Sequence, residues 1–168
     1  MRSRARFLGH PIHPVLITFP LGLLPIAVMF DLMAWTFGTA LWADLAFYLI
    51  AAGTLGGMLA AVFGLIDWLA IPRGTRARAI GAWHGLGNLL VVSLFTISWT
   101  LRTMYSPGPA SRLLGLIGLG IALVTGWLGG ELVTRLGVGI DPGAHLNASN
   151  SLSGEPADAT ARPRSARS

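Results

Sequence analysis

The sequence predicts an all-α fold, a bundle of four transmembrane helices, and three observations carry that prediction. Of its 168 residues, 53% are hydrophobic and 11% are charged, whereas a soluble domain carries about 25% charged residues. Four apolar stretches are each long enough to cross about 30 Å of hydrocarbon, which takes about 20 helical residues. The basic residues are all arginine, and most fall in the breaks between those stretches, a placement that reads as membrane topology rather than as a nucleic-acid surface.

Taken in order, the first span runs from about Pro14 to Phe37 and the second from about Asp44 to Ile71. The third runs from about Ala82 to Leu101 and the fourth from about Leu113 to Leu136. The opening Met1 to Arg6 is basic and leads into an apolar run, as a signal peptide does. That run outlasts the usual h-region of about 7–15 residues, and no small-residue cleavage site precedes Asp31. It is therefore read as a retained first span. Residues 1–8 form an N-terminal segment and 9–140 the membrane domain. Residues 141–168, rich in Ser, Ala, Pro and Arg without apolar periodicity, read as a disordered tail.

The arginines also set an orientation. Arg2, Arg4 and Arg6 precede the first span, Arg73, Arg76 and Arg78 lie in the second connection, and Arg135, Arg162, Arg164 and Arg167 follow the fourth span. The first connection has no basic residue, and the third has Arg102 and Arg112. The positive-inside bias places both termini in the cytoplasm, with the two arginines of the third connection working against it.

Close helix packing in lipid depends on small residues, since water does not drive it. Gly53, Gly57, Ala61 and Gly64 mark one such face in the second span, and Gly115, Gly118, Gly126 and Gly130 another in the fourth. Pro20 and Pro25 interrupt the first helix. Trp35, Trp42, Trp68, Trp83 and Trp99 fall near span ends, as interfacial anchors do.

Ionisable groups inside spans are costly and each needs a reason. His10 and His13 open the first helix at its cytoplasmic end, and Asp67 closes the second there. His84 opens the third, with Asn88 one turn deeper, and Glu131 and Arg135 close the fourth, spaced as a helical ion pair. Asp31 alone lies towards the opposite face. Each half of the chain thus offers a His and then a carboxylate, which suggests two pseudo-repeated helical hairpins.

The chain has no cysteine, so thiolate metal sites and iron–sulfur clusters are excluded. It has no nucleophile motif, phosphate-cradling loop or HExxH spacing, which argues against a stand-alone catalyst. Four functional readings remain. His13 and His84, at matched depth on separate helices, suit the axial ligands of a haem b in a membrane redox subunit with a redox partner. The His/Asp/Glu layer suits a small proton or cation transporter, which four helices would serve best as a homo-oligomer. His13, Asp67, His84 and Glu131 together suit a non-haem metal. The same layer also suits plain interhelical hydrogen bonding.

Gly9-His10-Pro11-Ile12-His13-Pro14, followed by Phe19-Pro20-Leu21-Gly22, resembles a family of small bacterial membrane proteins of unknown function. The resemblance extends to Gly64-Leu65-Ile66-Asp67, to His84 with Asn88, and to Gly129-Gly130-Glu131-Leu132-Val133 with Gly137-Val138-Gly139. It covers about residues 9 to 140, with Thr134 standing where the pattern has an aromatic residue. It implies a four-helix fold in the bacterial inner membrane. Some relatives occur beside haem or other redox modules, which favours electron transfer.

Overall fold

The computed structural model describes residues 1–160. A short hairpin of β1 (Arg6–Phe7) and β2 (His10–Pro11) leads into α1 (Ile12–Leu16) and α2 (Thr18–Phe37), which together make the first span. The other spans are α3 (Ala40–Ala70), α4 (Arg76–Met104) and α5 (Pro109–Thr134). A 3-10 turn at Ala157–Thr160 closes the described chain. All four spans are long and apolar enough to cross a bilayer.

The helix ends have local causes. Leu16 carries the carbonyl that an amide at position 20 would bond, and Pro20 has no amide to offer, so the first span breaks at Ile17. Pro25 sits inside α2 without ending it. Gly38 closes α2 in the left-handed conformation, at φ 68°. α4 begins six residues before the apolar stretch that announced it, at Arg76, because the Thr75 hydroxyl accepts the Arg78 amide at 3.2 Å. Arg78 also stacks on Trp68, 3.8 Å from the ring centre, and donates to the Trp68 and Ile71 carbonyls. These contacts lock the α3–α4 turn.

The molecule is packed as lipid, not water, requires. Trp35, Trp83 and Trp127 are largely exposed, as are leucines along every span. The buried positions are dominated by small or polar residues: Gly53, Thr54, Gly57 and Ala60 in α3, Ser98 in α4, Ser111, Gly118 and Thr125 in α5. Leu24, Val28, Ile50 and Phe95 form the apolar centre. Two of the tryptophans expected at the interface do other work. Trp99 packs against that centre, and Trp68 donates its Nε1–H to the Arg78 carbonyl.

Helices α2 and α3 form one hairpin and α4 and α5 a second, and the two hairpins repeat their contacts. A Cβ on Gly53 would lie 2.7 Å from the Leu24 side chain, and one on Gly118 would lie 2.8 Å from Phe95. Leu24 and Phe95 share the sequence interval of 71 residues that separates Asp31 from Arg102, and His13 from His84. Gly53 and Gly118, Ala60 and Thr125, and Gly64 and Gly129 share another common interval. Positions on the first helix of each hairpin therefore meet across a pseudo-two-fold axis along the bundle.

The glycine faces are shifted from those expected. Ala60 is buried and Ala61 exposed. Gly126 and Gly130 face open space, whereas Gly129 meets a side chain. Four-residue spacing alone does not fix the rotation of a helix about its own axis.

Asp141 and Ser151, in the segment read as a tail, touch the N-terminal residues, beside a bond from the end of the membrane domain. The Gly139 amide bonds the Met1 carbonyl at 2.8 Å. Asp141 accepts from Arg2 at 2.9 Å and from Arg6 at 2.5 Å. The Ser151 Oγ lies 3.2 Å from His10 Nε2. The two arginines, chiefly through the Arg6 hydrogen bond, hold the Asp141 carboxyl at about 2, so this clasp stays ionised through the ordinary carboxylate range. The last residues of the expected tail, 161–168, with Arg162, Arg164 and Arg167, lie outside the described residues.

Candidate functional site

The two histidines read as lying at matched depth are brought near each other. His13 stands on α1 and His84 on α4, and their rings lie 6.4 Å apart at 87°. Both are half-buried. His13 Nδ1 is 2.8 Å from the Ala60 carbonyl, and His84 Nδ1 is 2.9 Å from the Thr125 carbonyl. A carbonyl oxygen only accepts, so each Nδ1 carries the hydrogen. In the neutral imidazole the lone pair then sits on Nε2.

Two glycines make room for these rings. A Cβ on Gly64 would lie 2.9 Å from His13 Cε1, and one on Gly129 would lie 3.0 Å from His84 Cε1. Each glycine lies one turn beyond the carbonyl that its histidine bonds. The four residues Ala60, Gly64, Thr125 and Gly129 escaped the sequence reading as site residues. The Gly-Leu-Ile-Asp and Gly-Gly-Glu-Leu motifs were the available signal, and they had pointed instead to Asp67 and Glu131.

The dressing of the two rings differs. Asn88 donates to the His84 carbonyl at 2.8 Å and accepts from the Thr125 hydroxyl at 3.1 Å. Its amide nitrogen lies 3.3 and 3.4 Å from the two His84 ring nitrogens. Such near-equal distances place it alongside the ring rather than in line with either lone pair. Asn88 thus contacts both His84 and Thr125.

The carboxylates do not. Asp67 turns to the N-terminal segment, accepting from Ser3 Oγ at 2.8 Å, from the Arg4 amide at 2.8 Å and from the Ala5 amide at 3.2 Å. Glu131 pairs with Arg76 at 2.7 Å, not with Arg135 as the helical spacing suggested. Arg135 is exposed at the end of α5. His10 is exposed on β2, outside the pair. The four-residue set of His13, Asp67, His84 and Glu131 is therefore not assembled. Among the described residues no three His, Cys, Asp or Glu side chains lie close enough together to hold a metal ion.

A second charged cluster, unforeseen in the sequence, lies at the other end of the bundle. Arg102 and Asp31 form a two-pronged pair with both contacts at 2.6 Å. Their side chains are 0% and 4% exposed. Ser98 lies 3.3 Å from the guanidinium and donates to the Ser111 carbonyl at 2.6 Å. Arg102 is thus a buried, neutralised group of the helix interior rather than a loop charge opposing the topology.

Residues 9–142 match the family described as "Predicted membrane protein (DUF2231)". No curated protein and no solved structure matches the chain. The match covers most of the sequence, from the Gly-His-Pro opening through all four spans to the Asp141 clasp, and the chain is a membrane-spanning member of this family of unknown function.

Proposed function

We propose that the protein is a membrane electron-transfer subunit in which His13 and His84 would hold a haem b. One observation carries this reading: two imidazoles from different helices lie 6.4 Å apart with both Nδ1 atoms engaged by backbone carbonyls. With Asp67 and Glu131 engaged elsewhere, the described residues bring two donors together here. A bare transition metal needs about four. Two suffice for a group that brings its own equatorial nitrogens. When bound, haem b supplies reversible one-electron transfer. The chain's part is to hold the rings: Ala60 and Thr125 fix the tautomers, Gly64 and Gly129 admit the imidazoles, and Asn88 steadies His84. The transport and four-ligand metal readings lose their carboxylates and with them their support.

The test is an absorption spectrum of the protein purified in detergent and supplied with haem. A Soret band is expected, and it is lost in His13→Ala and in His84→Ala while helical circular dichroism persists. No Soret band in the parent protein would sink the proposal.

The same reading places both termini in the cytoplasm. Arg2, Arg4, Arg73, Arg76 and Arg135 all lie at the histidine end. At the opposite end Arg102 is neutralised by Asp31, which removes one of the two charges that opposed this orientation. Alkaline phosphatase fused after residue 160 should be inactive and fused after residue 106 active; the reverse pattern inverts the topology.

A further inference from the structure

We propose that the β1–β2 hairpin is a membrane anchor, with Phe7 and Leu8 inserted among bilayer lipids beside the first span. The two side chains are 69% and 63% exposed, yet the turn that bears them is rigidly built. Leu8 and Gly9 take φ of +48° and +82°, the two-residue left-handed turn that suits a tight hairpin. Leucine is an unfavourable residue for that conformation. Its backbone carbonyl accepts from Ser151 Oγ at 3.4 Å, while its side chain stays exposed at the tip, which points to something outside the chain.

The hairpin is held from one side only. Arg6 donates to the Gly9 carbonyl and to Asp141. A Cβ on Gly9 would lie 2.6 Å from the Ser151 Cβ, so the 141–151 segment closes that side. The Ile12 amide bonds the Ala5 carbonyl at 2.9 Å and ties the hairpin to the start of α1. The opposite side is apolar. There Phe7, Leu8, Pro11 and Ile12 line a cleft of about 370 Å³ together with Val15 and Leu16, with His10 the one polar residue at its wall.

The occupant follows from continuity. Val15, 59% exposed, belongs to the first span, and the lipid that covers it in a membrane is continuous with the cleft. The hairpin precedes the span directly, so its tip lies at the boundary where apolar side chains partition into the acyl region and arginines meet anionic headgroups. Arg4, exposed on the preceding segment, is placed for the latter contact. The anchor would hold the N-terminal cap, and with it the Ser3–Asp67 contact above the histidine end, against the membrane surface.

The chain has no native cysteine, so single sites can be labelled cleanly. Leu8→Cys and Phe7→Cys carry a nitroxide, with Leu146→Cys, at a fully exposed position, as the aqueous reference. All are reconstituted in vesicles of phosphatidylethanolamine and phosphatidylglycerol. Collision with oxygen should dominate over collision with a water-soluble nickel chelate at positions 7 and 8, and the order should reverse at 146. Labels at 7 and 8 that match the reference would overturn the anchor. So would shielding that vanishes when the protein is diluted in lipid, since the occupant would then be a second copy of the chain.

Discussion

Arg102→Leu should destabilise the bundle by about 3–5 kcal/mol, since it leaves the Asp31 carboxylate buried without its partner. Asp31 and Arg102 are almost completely enclosed, and their two contacts of 2.6 Å satisfy each other in the fork geometry that a guanidinium offers a carboxylate. Neither hydrocarbon nor water can replace a lost partner at that position. Arg102→Lys keeps the charge but loses the fork, so it should recover only part of the stability. The double change Asp31→Leu with Arg102→Met should recover most of it, because a buried ion pair contributes little over well-packed apolar side chains. Thermal unfolding in detergent, followed by tryptophan fluorescence, measures all four proteins. A single variant as stable as the parent would show that the pair does not hold α2 to α4.

The second large effect concerns the glycines behind the histidines. Gly64→Val places a Cβ 2.9 Å from His13 Cε1 and Gly129→Val one 3.0 Å from His84 Cε1, with further methyl groups beyond. Each ring must move away from its carbonyl, at a cost of about 1–3 kcal/mol for overpacking, with the Nδ1 bond weakened as well. Each variant should lose stability and, on the proposed haem reading, the Soret band as well. Because the two hairpins present the same contact, the two variants should act to a similar degree. Gly126→Val and Gly130→Val serve as controls, since nothing lies within 4 Å of either position, and both should be near neutral. Equal behaviour of all four variants would separate the glycines from the histidine pair.

The distinction between Gly129 and Gly130 shows where the sequence stops being legible. Both are small, both lie in one motif, and a spacing rule selects Gly130 as readily as its neighbour. Only the rotation of α5 against α4 decides that Gly129 receives His84. The histidine pair was legible because two residues of one type stand at the same depth on helices that the hydropathy profile already defines. The Ala60 and Thr125 carbonyls were not, because every helical residue carries a carbonyl and only packing selects one.

The charged residues divide in the same manner. Glu131 and Arg135 have the spacing of a helical pair, yet Glu131 reaches Arg76 on the preceding helix. Asp67 lies at the expected depth but is drawn away by three donors of the N-terminal segment. Asp31 and Arg102 stand far apart in sequence and were read singly, one as an exception in its layer and the other as a loop charge. An ion pair between distant helices has no local signature.

By itself the sequence determined that this chain spans a membrane, that four helices do so, and which polar groups lie at which depth. Those properties add up residue by residue along the chain, from hydrophobicity, helical rise and the distribution of arginine. Tertiary structure decided which of the polar groups touch: that His13 meets His84, that Asp31 meets Arg102, and that Asp67 and Glu131 leave the histidines. Partnership depends on how each helix is rotated about its axis and on which small residue lets a neighbour approach, and both are settled by the fit of one helix surface against another.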